Sequence, residues 1–90
     1  MSKASVDPAE LRRFAQGLTQ FNNDLQQLLG GLHARMRALE STWRDQEQHK
    51  FSEEFDQTAK VLSHFLESSH EHARVLVKKA QHIEKYLNEH

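Results

Sequence analysis

Cysteine is absent from this chain, and among its 90 residues there is one proline and only three glycines. Without cysteine there are no disulfides, thiolate nucleophiles or thiolate metal sites, and the redox compartment stays open. With so few helix breakers, long uninterrupted helices are the natural local structure. The balance of 28% charged to 37% hydrophobic residues fits one soluble folded domain rather than a disordered chain. No apolar run approaches the roughly 20 residues needed to cross a bilayer, so no membrane partner is expected. The N-terminus lacks the basic-then-apolar plan of a cleaved signal peptide, so classical export is not expected either. A basic excess is missing too. The formal net charge is -1 with both signs mixed along the chain, which offers no stripe to neutralise phosphates and makes nucleic acid an unexpected partner.

What the chain does have is two long amphipathic repeats. Leu11, Phe14, Leu18, Phe21, Leu25, Leu28 and Leu32 recur at steps of three and four, which lays them on one stripe of an α-helix. The stripe then steps four and four through Met36 before Leu39 and Trp43, a stutter that eases supercoiling without ending the helix. Asp7, Pro8 and Glu10 form a start signal: a side-chain cap, a residue suited to the first helical position, and a carboxylate three residues on that can reach back. Downstream, Phe51, Phe55, Leu62, Phe65, Leu76, Ile83 and Tyr86 hold a second stripe, widened by Ala59, Leu66, Ala73, Ala80 and Leu87. The expected plan is a tail over 1–6, helix over 8–42, turn over 43–45 and helix over 46–88.

Asp45 with Gln48 three residues on gives a second capping pair, so the connection is short and the helices run antiparallel, with Trp43 folded beside Phe51 as an end-plug. Two helices of this length bury only one mutual stripe, while ordering costs roughly 1.5 kcal/mol per residue. Leu29, Ala59, Leu66, Val75 and Val77 widen the apolar arcs beyond what a facing pair hides, so a second hairpin is expected to complete a four-helix bundle, a homodimer being the simplest form. The fold class is therefore all-α: an antiparallel hairpin that dimerises. Gly30-Gly31 costs about 0.5 to 1 kcal/mol per glycine mid-helix, and a continuous or mildly bent helix is expected there. Thr58, Ser69, His72 and Lys79 interrupt the second stripe; His72, near the seam, gives association a modest pH dependence.

Seven histidines raise the question of metal, and Glu67-Ser68-Ser69-His70 has the Glu-x-x-His spacing of carboxylate-bridged di-iron bundles. With Leu62, Ser69 and Leu76 inward, however, Glu67 and His70 point to solvent, and the first helix offers no inward glutamate. His70-Glu71-His72 is no chelate, because neighbours one and two apart do not share a helix face. No glycine-rich phosphate loop, serine elbow or inward carboxylate pair appears, and thin helices leave little concave space. No catalytic residue, cofactor or metal site is expected; the product of this chain is a surface.

A tryptophan near the midpoint between two helices, an aromatic eight residues later (Phe51) and a length near 100 residues together resemble the WXG-type early secreted antigen family, small hairpins handled by type VII secretion. The likeness covers most of the chain. Where that family has glycine this chain has Asp45, which can supply a left-handed turn or an N-cap. The family's export signal is a tyrosine followed four residues later by an acidic residue; here Tyr86 meets His90 at that offset, with Glu89 one place early. The resemblance implies a homodimer or a heterodimer with a similar hairpin, made in the cytoplasm and exported without a cleaved signal. It also implies that Trp43, Arg44 and Asp45 lie near the partner's C-terminal helix end, so that Trp43 and Tyr86 share a surface read by a secretion ATPase or a larger effector. The alternative is a cytoplasmic structural or adaptor coiled-coil module.

Overall fold

The computed structural model describes residues 6–88. Residues 1–5 of the expected tail, and Glu89 and His90, lie outside that range; Val6 is exposed. Two helices, α1 (Pro8–Glu40) and α2 (Gln46–Asn88), fold back on each other as a hairpin about 68 Å long and 21 by 16 Å across. Proline at the first helical position loses no bond that the helix could have made. The Asp7 carboxylate accepts from the Ala9 amide at 2.9 Å, while the Asp7 carbonyl accepts from the amides of Glu10 and Leu11. The Glu10 side chain does not reach back to the cap; it pairs instead with Arg13 at 2.8 Å.

α1 stops at Glu40, two residues short of the expected Thr42. The Ser41 hydroxyl donates to the Ala38 carbonyl at 2.6 Å and the Thr42 hydroxyl to the Leu39 carbonyl at 3.3 Å. Hydroxyls that bond back in this way compete with the helix for its own carbonyls, so the last turn closes early. The helix nonetheless runs unbroken through Gly30 and Gly31, and a methyl group added at either would meet open space. Neither glycine is required by packing within the hairpin.

The seam between the helices is narrower in side-chain size than the sequence stripes suggest. On α1 it comprises Leu11, Ala15, Leu18, Asn22, Leu25, Leu29 and Met36; on α2, Phe55, Ala59, Leu62, Leu66, Ser69, Ala73, Leu76, Ala80 and Ile83, all buried or half-buried. Relative to the expected stripe the seam has rotated. Phe14, Phe21, Leu28, Leu32 and Leu39 lie at the side of the seam and stand exposed, whereas Leu29, Ala59 and Leu66, expected to lie beyond the facing pair, are inside. The physical reason is size. Four of the six buried apolar residues are alanines, which let the backbones approach closely, and a phenylalanine ring at Phe14 or Phe21 would hold them apart.

Two polar bridges span the seam. Mid-rod, the Ser69 hydroxyl donates to Asn22 Oδ1 at 2.7 Å, with Asn22 fully buried and its Nδ2 without a partner. At the open end, Arg12 Nε and Nη2 each donate to a carboxylate oxygen of Glu84 at 2.8 Å. This forked pair holds Glu84 below the ordinary carboxylate range, chiefly through the hydrogen bonds from Arg12. A group whose pKa is depressed by folding stabilises the fold above its unfolded value and loses that contribution as the pH falls through the folded value. Acidification through and below the ordinary glutamate range is therefore expected to loosen this end. The readout is amide exchange over residues 80–87, and in Glu84→Gln that pH dependence should vanish; an unchanged profile in the variant would refute the assignment.

Candidate interaction face and bend

On α1, successive residues turn by about 100°, so Phe14, Phe21, Leu28, Leu32 and Leu39 fall within one narrow arc, displaced from the seam by less than a quarter turn. All five are exposed, Phe14 at 63% and Leu28 at 71%. Across the hairpin, Phe51, Phe65 and Val75 are exposed on the adjoining side of α2. The rings of Phe21 and Phe65 meet edge to face with centroids 6.3 Å apart, so the two arcs form one continuous apolar face. Within it, Phe14, Leu18, Phe65, His72, Val75 and Leu76 line a groove of about 430 Å3. Of the residues that interrupt the second stripe, Ser69 is buried in the seam, while Thr58, His72 and Lys79 are exposed.

The bend is built from the backbone outward. The Trp43 amide donates to the Leu39 carbonyl at 2.9 Å, and Asp45 Oδ1 accepts from the Gln48 amide at 2.9 Å as the cap of α2. No described residue other than glycine has a positive φ, so Asp45 acts through its carboxylate and not through a left-handed turn. Glu40 closes the bend from the other side, its carboxylate accepting from Gln48 Nε2 at 3.3 Å and from the Ser52 hydroxyl at 3.0 Å. Arg44 Nε donates to the Glu40 carbonyl at 3.4 Å. The half-buried Trp43 ring lies 5.8 Å from Phe51, which is 6.3 Å from Phe55, whose ring meets His33 edge to face at 5.5 Å. This run of aromatic rings joins the bend to the body of the hairpin.

Tyr86 is exposed near the end of α2, at the far end of the rod. At a rise of about 1.5 Å per residue it stands roughly 60 Å from Trp43. One chain cannot bring the two side chains together. On the face opposite the apolar one, Glu67 and His70 are exposed and share a shallow groove with His33 and Leu29. Among the described residues no three histidine or acidic side chains converge as a metal site, and no helix is long and apolar enough to cross a membrane.

Several structural polar residues carried little sequence signal. Asn22 repeats at sevens with Ala15, Leu29 and Met36, which places it in the seam, but nothing local names Ser69 as its partner. The Arg12–Glu84 and Glu40–Ser52 pairs depend on the hairpin register and have no signature in either helix alone.

Against known proteins, residues 3–86 match the family described as proteins of 100 residues with WXG. None of the curated proteins matches significantly. Among solved structures, the chain is similar to the secreted protein EsxB from Bacillus anthracis strain Sterne. The selenomethionine-labelled form is 22% identical with a TM-score of 0.81, over 96% of this chain and 98% of that one. The wild-type form in another crystal is 23% identical with a TM-score of 0.77, over 90% and 93%.

Proposed function

The chain belongs to the family of proteins of 100 residues with WXG, and from that membership and its unpaired apolar face we propose that it is a non-enzymatic recognition module of type VII secretion. It is made in the cytoplasm, docks against a second helical hairpin to complete a four-helix bundle, and leaves the cell without a cleaved signal. The observation that carries this reading is the row of large apolar side chains, Phe14 to Leu39, held outward on a rigid rod. A contiguous exposed apolar face of this kind marks a protein-binding surface. Each such side chain gains about 1.5 to 3 kcal/mol on full burial, which supplies the stability that the alanine-lined seam lacks.

In this proposal the bend supplies specificity. An indole half-buried against Phe51, with Arg44 next in the chain, carries the residue types of a binding hot spot: an aromatic anchor and an arginine. It is the element a secretion ATPase or a larger effector would read. The test is Trp43→Ala in a host that carries the secretion machinery, measured as co-purification with the secretion ATPase and as protein in the culture medium. Loss of about 2 kcal/mol or more of binding, at least tenfold in retention, is expected, with far-UV helicity essentially unchanged. Equal capture by the variant would refute the role of the bend, and recovery of the wild type solely from cell lysate would favour a cytoplasmic adaptor instead.

A further inference from the structure

The bend reverses the chain without the residues that usually do so. From Ser41 to Asp45 there is neither glycine nor proline, and no described residue has a positive φ. A short run with ordinary backbone freedom can join two helices in many ways, so side chains must select one of them. The residues that bracket the run, Glu40 and Gln48, are tied to each other across it.

Glu40 is the last residue of α1 and is half-buried; Gln48 lies in the first turn of α2 and is buried. Gln48 is held twice, its backbone amide donating to Asp45 Oδ1 at 2.9 Å and its side-chain Nε2 to Glu40 at 3.3 Å. Ser52, four residues further and so on the same face of α2, donates its hydroxyl to Glu40 at 3.0 Å. Both side-chain bonds end on a single oxygen, Glu40 Oε2. The Glu40 carbonyl in turn accepts from Arg44 Nε at 3.4 Å. One residue thus fastens the last turn of α1 to the first two turns of α2 and to the bend between them.

The placement of this acid makes sense only across the bend. A carboxylate at a helix C-terminus meets the negative end of its own helix dipole, whereas the N-terminal turns of α2 carry partial positive charge and unpaired amides. Trp43 lies within the bracketed run, and Phe51, whose ring is 5.8 Å from the indole, directly precedes Ser52. Fixing Ser52 to Glu40 therefore fixes the surface against which the indole packs.

Resting on the reading that the bend is a recognition element, we propose that Glu40 is its positioning residue: Oε2, shared by Gln48 and Ser52, holds the Trp43 indole in the one orientation that a binding protein reads. An aromatic anchor ordered in advance binds more tightly without making any new contact, because less freedom is lost on association.

The test uses the fact that Trp43 is the one tryptophan of the chain. Acrylamide quenching of its fluorescence and near-UV circular dichroism in the tryptophan band report on the indole alone, with far-UV circular dichroism verifying the fold. Glu40→Ala removes the acceptor, and Ser52→Ala removes one donor. Glu40→Gln keeps an amide oxygen able to serve both donors, and the charge it removes is unfavourable to α1 and favourable to α2, so those effects offset. In Glu40→Ala the indole is expected to become more readily quenched and to lose near-UV intensity; Ser52→Ala should show a smaller change in the same direction, and Glu40→Gln should match the wild type. Capture by the secretion ATPase should fall about three- to tenfold for Glu40→Ala and stay within about twofold for Glu40→Gln. A wild-type indole signal in Glu40→Ala overturns the proposal, as does a signal changed equally in Glu40→Ala and Glu40→Gln. If Glu40→Ala loses helicity, Ser52→Ala decides, and an unaltered indole there overturns the proposal. A loosened indole with undiminished capture overturns the link from positioning to recognition. If Trp43→Ala is also captured as well as the wild type, the reading of the bend itself has failed, and the proposal falls with it.

Discussion

Phe21→Glu is expected to separate the bundle into weakly helical single chains. Phe21 sits near the middle of the exposed arc and edge-on to Phe65, so in the proposed bundle it would be enclosed on both sides. Losing a buried phenylalanine costs about 3 to 5 kcal/mol, and an unpaired carboxylate in its place adds a desolvation penalty. For a domain of this size, about 1 kcal/mol moves the melting temperature by roughly 4 to 8 °C, so a drop of more than about 12 °C is expected. The midpoint of the wild type should rise with protein concentration, because folding and association are linked, and that of the variant should lie far lower over the same range. Asn23→Glu, a substitution at an exposed position on the side of α1 turned away from the apolar arc, serves as the control for added charge. A variant with the wild-type mass in solution and the wild-type melting temperature would show that the face stays open, and the proposed function would fall with it.

Ser69→Ala is expected to destabilise the hairpin by about 1 to 3 kcal/mol, a large effect for removing one hydroxyl. Asn22 is fully buried with its Nδ2 already unpartnered, and the Ser69 hydroxyl satisfies its Oδ1. Taking the hydroxyl away leaves a whole amide in the seam without a partner. The double variant Asn22→Ala with Ser69→Ala should recover most of the loss, since it extends the alanine layers already formed by Ala15 and Ala73 and leaves no orphaned polar atom. Chemical denaturation of the wild type, both single variants and the double variant completes the cycle, and additive losses would show that the two side chains are not coupled.

Much of the scaffold was legible from local chemistry. Asp7 and Pro8 signal the start of α1, and Asp45 with Gln48 signals that of α2, because capping involves residues two or three apart and leaves a mark in any short window. The closing hydroxyl bonds of Ser41 and Thr42 are equally local, yet the two look like ordinary helix-tolerant residues until the carbonyls to which they donate are in place. The bend aromatics, Trp43 and Phe51, could be assigned to one end of the rod because the connection is too short to place them elsewhere. Which apolar side chains stay outside is harder to read, since exposure of Phe14 or Leu28 is a property of the pair of helices and not of either one.

The sequence by itself determined two helices, where they begin, and the antiparallel return between them: helical period, caps and chain connectivity are set within a few residues. Only the tertiary structure decided which part of each broad apolar arc would face the other helix. Periodicity gives an arc wider than one neighbour can cover, and close approach then selects the sub-arc of small side chains. Ala15, Ala59, Ala73 and Ala80 went inward, and Phe14, Phe21, Leu28, Leu32 and Leu39 were left outward.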